Sequence, residues 1–138
     1  MELPGSNRWT LGWETMEDND PASRTVMVVD DEPDMRHLLR ITLEEAGYEV
    51  VEAAHGEAAL DQVRRSPPQL VLTDRMMPRM NGGELIERLR ADETTKAIPI
   101  VIVSGTRGGE AGADAVLSKP FDPGELIVLV DRLIGKER

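Results

Sequence analysis

Four short apolar runs divide the chain, and each of them leads into a polar residue. The runs are Val26–Val29, Leu70–Thr73, Ile100–Val103 and Ala115–Ser118. The residues that follow them are Asp30, Asp74, Ser104 and Lys119. Continuous apolar runs of this length are typical of strands buried on both faces of a parallel sheet. Polar residues at the ends of several such strands predict a site along the carboxyl edge, where open α/β sheets bind ligands.

The segments between the runs predict helices. Pro33 fits a first helical turn because its missing N–H needs no partner there, and Gly47 is placed for a left-handed C-terminal cap. The predicted order is strand 25–30, helix 33–46, strand 48–52, helix 56–65, strand 69–74, a helix starting near Gly83, strand 98–103, strand 114–118 and helix 123–134. This alternation predicts right-handed crossovers and an α/β fold with helices on both faces of a parallel sheet.

One interval breaks the alternation. Eleven residues lie between Val103 and Ala115, and four of them are glycine. A typical helix alone uses about 11–12 residues, and a crossover between parallel strands needs about a dozen in total. We therefore predict a loop, or at most one turn, in place of a helix.

Composition and charge narrow the function classes. A chain of 138 residues with 30% charged residues has the length and composition of one globular domain. No apolar run reaches the ~18 residues of a membrane-spanning helix, so we expect no membrane partner. A net charge of −10 argues against direct binding of nucleic acid and favours protein or cation partners. With zero cysteines there is no disulfide or thiolate chemistry, and we expect a cytoplasmic location.

Residues 1–23 differ in composition from the remainder. They hold both tryptophans, Trp9 and Trp13, and the acidic run Glu17–Asp20. We predict a flexible acidic arm over residues 1–23 and one domain over residues 24–138. Two interpretations of the arm stay open, a leader without a structural role or a docking arm. The second rests on the i, i+4, i+7 spacing of Trp9, Trp13 and Met16, which is typical of a short amphipathic turn.

Asp30, Asp31 and Asp74 are expected to meet at the predicted carboxyl edge. Carboxylates this close must be protonated or gather around a cation. Oxygen ligands without a nearby His or Cys suit Mg²⁺. A carboxylate beside Mg²⁺, a lysine and a hydroxyl has the parts for phosphoryl transfer, with Asp74 as the nucleophile and Ser104 and Lys119 binding the phosphoryl oxygens. The competing interpretations are acidic charge at a helix N-terminus for the Asp30–Asp31 pair and a solvated surface side chain for Lys119.

Four motifs resemble those of the receiver domains of two-component response regulators, of the chemotaxis type. They are Val28–Pro33, Leu72–Gly82, Val103–Gly105 and Lys119–Phe121, and the resemblance covers residues 24–136. It implies a flavodoxin-like (βα)5 three-layer sandwich with strand order 2-1-3-4-5. In this chain the fourth helix of that fold would be missing or reduced to a loop.

The resemblance also implies the chemistry. Asp74 would accept a phosphoryl group from phosphohistidine on a sensor histidine kinase or a histidine phosphotransfer protein. Asp31, Asp74 and the backbone carbonyl of Met76 would ligate Mg²⁺, and Asp30 would act mainly through bound water. Ser104 and Lys119 would contact the phosphoryl oxygens. Such a domain is not an enzyme in the usual sense, because it catalyses only its own aspartyl phosphorylation and slow dephosphorylation.

Two features depart from the family pattern. Most receivers carry an aromatic residue three positions before the lysine, and its side chain rotates inward as the Ser or Thr hydroxyl moves toward the phosphate. Val116 occupies this position here, and a β-branched side chain cannot make that rotamer change. The last helix also has more apolar residues than one buried face needs, and we expect Ile127, Val128 and Ile134 to be exposed. Such a patch favours self-association or docking of the N-terminal arm. The competing interpretation is that these side chains belong to the core.

These departures leave an alternative open, a pseudo-receiver that acts as a binding or dimerisation module without phosphorylation. A second alternative is a phosphatase with an aspartate nucleophile. Those enzymes typically have another acid two residues after the nucleophile to protonate the leaving group. Met76 occupies that position, so turnover of external phosphate esters is not expected.

Overall fold

The computed structural model describes residues 24–106 and 108–135. The strands are β1 Thr25–Val29, β2 Glu49–Ala53, β3 Leu70–Asp74, β4 Ile100–Ser104 and β5 Ala115–Ser118. The helices in these two ranges are α1 Pro33–Glu45, α2 Gly56–Arg65, α3 Gly82–Ala91 and α4 Pro123–Ile134. The predicted arm over residues 1–23, with Trp9 and Trp13, lies outside the described residues.

The five strands form one parallel sheet in the order β2-β1-β3-β4-β5. This order confirms the α/β fold and the predicted flavodoxin-like arrangement. Because all strands run the same way, their carboxyl ends share one edge: Asp74 pairs in register with Val103, and Ser104 with Ser118. The register therefore brings the ends of β3, β4 and β5 to a common level.

Both faces of the sheet are buried, which explains the unbroken apolar runs. Successive residues of a strand point to opposite faces. Met27 and Val29 of β1 pack with α2 and α3, whereas Val26 and Val28 pack with the inner residues of α1 and α4. The inner residues of those two helices are Leu39, Leu43, Leu126 and Val130. The central strands therefore sit between two helical layers.

Most element bounds agree with the sequence prediction within one residue, but β4 begins two residues later than predicted. Ile98 donates its N–H to the carbonyl of Thr95 in a turn, and Pro99 has no N–H to donate. Neither residue can therefore join the ladder through its amide. The strand begins at Ile100 and extends to Ser104.

The connection between β4 and β5 has no helix among its described residues, 105–106 and 108–114. This confirms the predicted loop. Gly112 lies in the left-handed region, with φ of 86°. A Cβ added there would come within 2.7 Å of Ile86 on α3, so the loop passes close to the side of that helix.

The prediction of surplus apolar side chains on α4 was right for one residue of the three. Val128 is 63% exposed. Ile127 and Ile134 are partly buried and pack against the cluster formed with α1. Both side chains lie far enough toward the sheet to join this cluster, so the exposed apolar patch on α4 is smaller than expected.

No helix within residues 24–106 and 108–135 is long and apolar enough to cross a membrane.

Gly82 is required by a close approach at the start of α3. A Cβ there would lie 2.6 Å from the backbone oxygen of Asp74 and 2.9 Å from Cδ1 of Ile102. We expect Gly82→Ala to lower the free energy of unfolding by about 1–3 kcal/mol, because the backbone of Asp74 would have to shift to make room for the methyl group. Urea unfolding followed by circular dichroism measures this loss.

Gly83 is the matched control. A Cβ at Gly83 would meet side chains and no backbone: the carboxylate of Glu110, 2.6 Å away at the end of a flexible side chain, and Asn81 Oδ1 at 3.3 Å. Gly83→Ala should therefore leave the stability within about 1 kcal/mol of the parent, or raise it through the helix preference of Ala. Equal losses in the two variants would contradict the close-approach explanation.

Candidate functional site at the carboxyl edge of the sheet

Four strands deliver polar side chains to the carboxyl edge. Asp30 follows β1, Asp74 ends β3, Ser104 ends β4 and Lys119 follows β5. The backbone ties the last two together, because the N–H of Lys119 donates to the carbonyl of Ser104 at 2.9 Å. The Lys119–Pro120 peptide bond is cis. The structure therefore brings the predicted residues to one place.

The three predicted acids form one cluster. Carboxylate oxygens of Asp30, Asp31 and Asp74 all lie within 4.8 Å of one another. Asp30 and Asp74 are buried and Asp31 is exposed, so the cluster opens to solvent on one side. Lys119 Nζ donates to Asp74 Oδ1 at 3.0 Å. One ammonium thus faces three carboxylates.

Asp30 is fixed by the first turn of α1. The N–H of Glu32 donates to Asp30 Oδ1 at 2.9 Å, and Arg36 Nη1 donates to the Asp30 carbonyl oxygen at 2.7 Å. Arg36 is held in turn by Glu52, whose Oε1 lies 2.9 Å from Arg36 Nε. Burial raises the pKa of the Asp30 carboxyl above its ordinary value, and the nearby charge of Asp74 adds to this effect. The hydrogen bond from Glu32 opposes it.

This raised pKa predicts a pH-dependent gain in stability for Asp30→Asn. When folding raises the pKa of a carboxyl, the folded protein becomes less stable as the pH rises from 3.8 through the folded pKa, because the unfolded chain releases the proton first. In the absence of divalent cations, we therefore expect the variant to melt at a higher temperature than the parent near neutral pH. The difference should shrink as the pH falls toward 3.8. Thermal melts in chelator at several pH values measure it.

The same melts with added Mg²⁺ provide the control for this prediction. A cation at the carboxylates offsets their repulsion, so the parent should regain the difference. A variant less stable than the parent at neutral pH without Mg²⁺ would contradict the prediction.

Ser104 is buried, and its hydroxyl contacts Thr106. The two hydroxyl oxygens lie 3.0 Å apart, and the Thr106 N–H donates to Ser104 Oγ at 3.1 Å. Thr106 and Arg36 were not predicted as site residues. Thr106 contacts Ser104, two positions away, and Arg36 contacts the Asp30 carbonyl, but no sequence motif marks either residue.

The loop after β3 carries Met76, whose backbone carbonyl was a predicted Mg²⁺ ligand. Its side chain is 73% exposed, whereas Met77 and Met80 are buried. The loop is anchored at its far end, where the N–H of Gly82 donates to the carbonyl of Arg75 at 2.9 Å. Asn81 then caps α3 through a capping box with Glu84.

The donor set fits Mg²⁺. This ion takes oxygen ligands, keeps several waters and is usually bound by one or two carboxylates. The cluster offers the carboxylates of Asp31 and Asp74 for direct ligation, and Asp30 lies close enough to act through water. The exposed Asp31 leaves one side of the cluster open to those waters.

The comparison with protein families identifies the family to which a chain with this site belongs. A family model for the response regulator receiver domain matches residues 26–131, which include every residue of the cluster. The chain belongs to the response regulator receiver domain family. Its fold and the carboxylate cluster agree with the resemblance carried by the four sequence motifs.

Relatives of this receiver domain include transcriptional regulators. The phosphate regulon transcriptional regulatory protein PhoB of Pseudomonas aeruginosa is 39% identical over 120 residues, which are 82% of this chain and 52% of that protein. The chain thus spans about half the length of the curated relatives it matches.

Solved structures of receivers superimpose well on this one. The chemotaxis protein CheY4 of Vibrio cholerae has a TM-score of 0.76 and 31% identity, covering 80% of this chain and 98% of that one. The receiver domain of the sensor histidine kinase PA1611 of Pseudomonas aeruginosa has a TM-score of 0.77 and 26% identity, covering 83% of this chain and 99% of that one. That structure holds a magnesium ion in its active site cleft.

Proposed function

We propose that this receiver domain accepts a phosphoryl group from phosphohistidine onto Asp74. The observation that carries the proposal is the setting of the Asp74 carboxylate. It lies in one cluster with Asp30 and Asp31 and 3.0 Å from the Lys119 ammonium. The donor is a sensor histidine kinase or a histidine phosphotransfer protein.

In the proposed step a carboxylate oxygen of Asp74 attacks phosphorus. The new O–P bond forms as the N–P bond of phosphohistidine breaks, and the electron pair leaves with the imidazole nitrogen. The product is an acyl phosphate on Asp74 and a free histidine. Lys119 stabilises the negative charge on the phosphoryl oxygens, and Ser104 donates a hydrogen bond to them.

Mg²⁺ would be held by Asp31, Asp74 and the Met76 carbonyl, with Asp30 bound through water. When present it neutralises charge on the phosphoryl group. The same residues then support only slow loss of the phosphoryl group. Met76 offers no acid for a leaving group, so we propose no turnover of external phosphate esters.

A phosphorylation-independent pseudo-receiver is the second candidate. The observation that favours it is that this chain differs from most receivers in the two features that usually respond to phosphorylation. Val116 replaces the usual aromatic residue, and the described residues between β4 and β5 form no helix. Incubating the chain with acetyl phosphate and Mg²⁺, followed by intact-mass spectrometry, separates the two. A gain of one phosphoryl group supports the phosphoacceptor, and an unchanged mass supports the pseudo-receiver.

We further propose that the domain signals by protein–protein contact and forms a homodimer through α4. Val128 on this helix is 63% exposed. We expect Val128→Glu to abolish concentration-dependent self-association in sedimentation velocity, because dimerisation would bury the added charge. The melting temperature should stay close to that of the parent, since the side chain is largely in solvent.

Leu38→Glu is the matched control for the dimer. Leu38 is another exposed apolar residue, 47% exposed, but it lies on α1. This variant should self-associate like the parent. Parent and Val128→Glu sedimenting alike would reject the homodimer.

The expected absence of nucleic-acid binding stays a prediction. PhoB is named a transcriptional regulator, and this chain matches only about half of it. The cytoplasmic location also stays a prediction.

A further inference from the structure

Arg75 is the residue next to Asp74, and its side chain reaches across to the loop between β4 and β5. Its backbone N–H donates to the carbonyl of Val103 at 3.1 Å, which continues the ladder between β3 and β4. The guanidinium contacts are Thr106 Oγ1 at 3.2 Å from Nη1, the carbonyls of Gly108 and Gly109 at 2.9 and 3.3 Å from Nη2, and Glu110 Oε1 at 3.4 Å from Nε. The side chain is only 16% exposed. Both terminal nitrogens thus donate to the loop, whereas Nε makes no hydrogen bond and only faces the Glu110 carboxylate.

Thr106 connects this guanidinium to Ser104. The Thr106 N–H donates to Ser104 Oγ at 3.1 Å, and the two hydroxyl oxygens are 3.0 Å apart. A hydroxyl has one proton and two lone pairs. Because Thr106 Oγ1 accepts from a cationic donor, its own proton is polarised and is a better donor to Ser104. With Thr106 as the donor of the hydroxyl pair, Ser104 Oγ accepts two hydrogen bonds, and its own proton is left for another acceptor.

We propose that Arg75 is a positioning residue for phosphoryl transfer, acting through Thr106 to orient the Ser104 hydroxyl as a donor to the phosphoryl group on Asp74. The inference rests on the proposed function and adds a residue to it. Ser104 is suitably placed, because its carbonyl accepts the N–H of Lys119, whose ammonium contacts Asp74.

The loop itself explains why an arginine is needed. Gly105, Gly108 and Gly109 are exposed, and a Cβ added at any of them would meet nothing within 4 Å. Side-chain packing therefore does little to hold this segment. The hydrogen bonds from Arg75 to two of its carbonyls supply the order that a helix would otherwise provide. Without them, Thr106 would lose its fixed place beside Ser104.

Arg90 on α3 offers a matched control, because it holds the other end of the same loop. Its Nε and Nη2 donate to the carbonyl of Gly112 at 3.0 and 2.8 Å, and Nη2 also donates to Asp114 Oδ2 at 2.9 Å. It makes no hydrogen bond to Ser104 or Thr106. Both arginines fasten the loop, but only Arg75 is joined to the hydroxyl pair.

The experiment measures the rate of phosphorylation by acetyl phosphate and Mg²⁺ in the full chain. We expect Arg75→Met and Thr106→Val each to lower the rate about three- to tenfold, the range for one lost hydrogen bond to a hydroxyl. The double variant should be no slower than Thr106→Val alone, because both changes break one chain of contacts. Arg90→Met should keep the parent rate.

A second readout does not depend on the rate. Exchange of the Thr106 amide proton in the unphosphorylated protein should accelerate in Arg75→Met and stay unchanged in Arg90→Met. Additive losses in the double variant, or equal losses in the two arginine variants, would overturn the role of Arg75. A parent rate in Arg75→Met would do the same while leaving the proposed function standing. A parent that gains no phosphoryl group on Asp74 would overturn both. If Arg75→Met does not fold, Thr106→Val decides, because it keeps the arginine and removes one hydroxyl.

Discussion

Asp74→Asn is expected to abolish phosphoryl incorporation from acetyl phosphate, by more than about a thousandfold in rate, because an amide oxygen is a poor nucleophile and no acyl phosphate can form. The shape of the side chain is kept, and the neutral amide removes one of three neighbouring negative charges. The variant should therefore fold at least as well as the parent. Intact-mass spectrometry after incubation with the phosphodonor measures incorporation, and circular dichroism checks the fold.

Asp61→Asn is the control for this substitution. Asp61 is an exposed carboxylate on α2, away from the carboxyl edge, and its loss should leave the rate unchanged. Peptide mapping of the phosphorylated parent should place the group on Asp74. An Asp74→Asn protein that gains the phosphoryl group at the parent rate would show that another residue is the acceptor and would remove the basis of the proposed function.

The residues of the candidate site could be predicted because strand ends fix their positions. A parallel sheet places all carboxyl ends on one edge, so a polar residue after each apolar run is enough to predict Asp74, Ser104 and Lys119 as neighbours. The glycine-rich interval before β5 was equally informative, because its length alone leaves too few residues for a helix.

Contacts between distant parts of the chain could not be predicted in this way. Arg75 and Thr106 are 31 positions apart, and they meet only because the loop after β4 folds back over the end of β3. Arg36 on α1 also contacts Glu52 Oε1 at 2.9 Å, 16 positions along the chain, and the Asp30 carbonyl at 2.7 Å. The turn at Ile98 and the partial burial of Ile127 likewise depend on tertiary packing. Periodicity describes one element at a time, so it carries no information on these contacts.

Lys119→Met should have two opposite effects, which together identify its role. Its ammonium lies 3.0 Å from Asp74 Oδ1 and would face the charge that develops on the phosphoryl oxygens. We expect the phosphorylation rate to fall about a hundredfold, as when one preorganised donor is removed from such a site. We expect the affinity for Mg²⁺ to rise by about tenfold, because the ammonium repels a cation bound to the same carboxylates.

The two effects together distinguish an electrostatic role of Lys119 from a structural one. Calorimetric titration with Mg²⁺ gives the affinity, and intact-mass kinetics with acetyl phosphate give the rate. Lys96→Met is the control, because Lys96 pairs with Glu93 on an exposed part of the surface and should change neither quantity. A Lys119→Met protein that loses both Mg²⁺ affinity and rate would mean that the carboxylate cluster has lost its geometry. An unchanged rate would mean that the ammonium does not contact the transferred group, and the proposed assignment of Lys119 would be wrong.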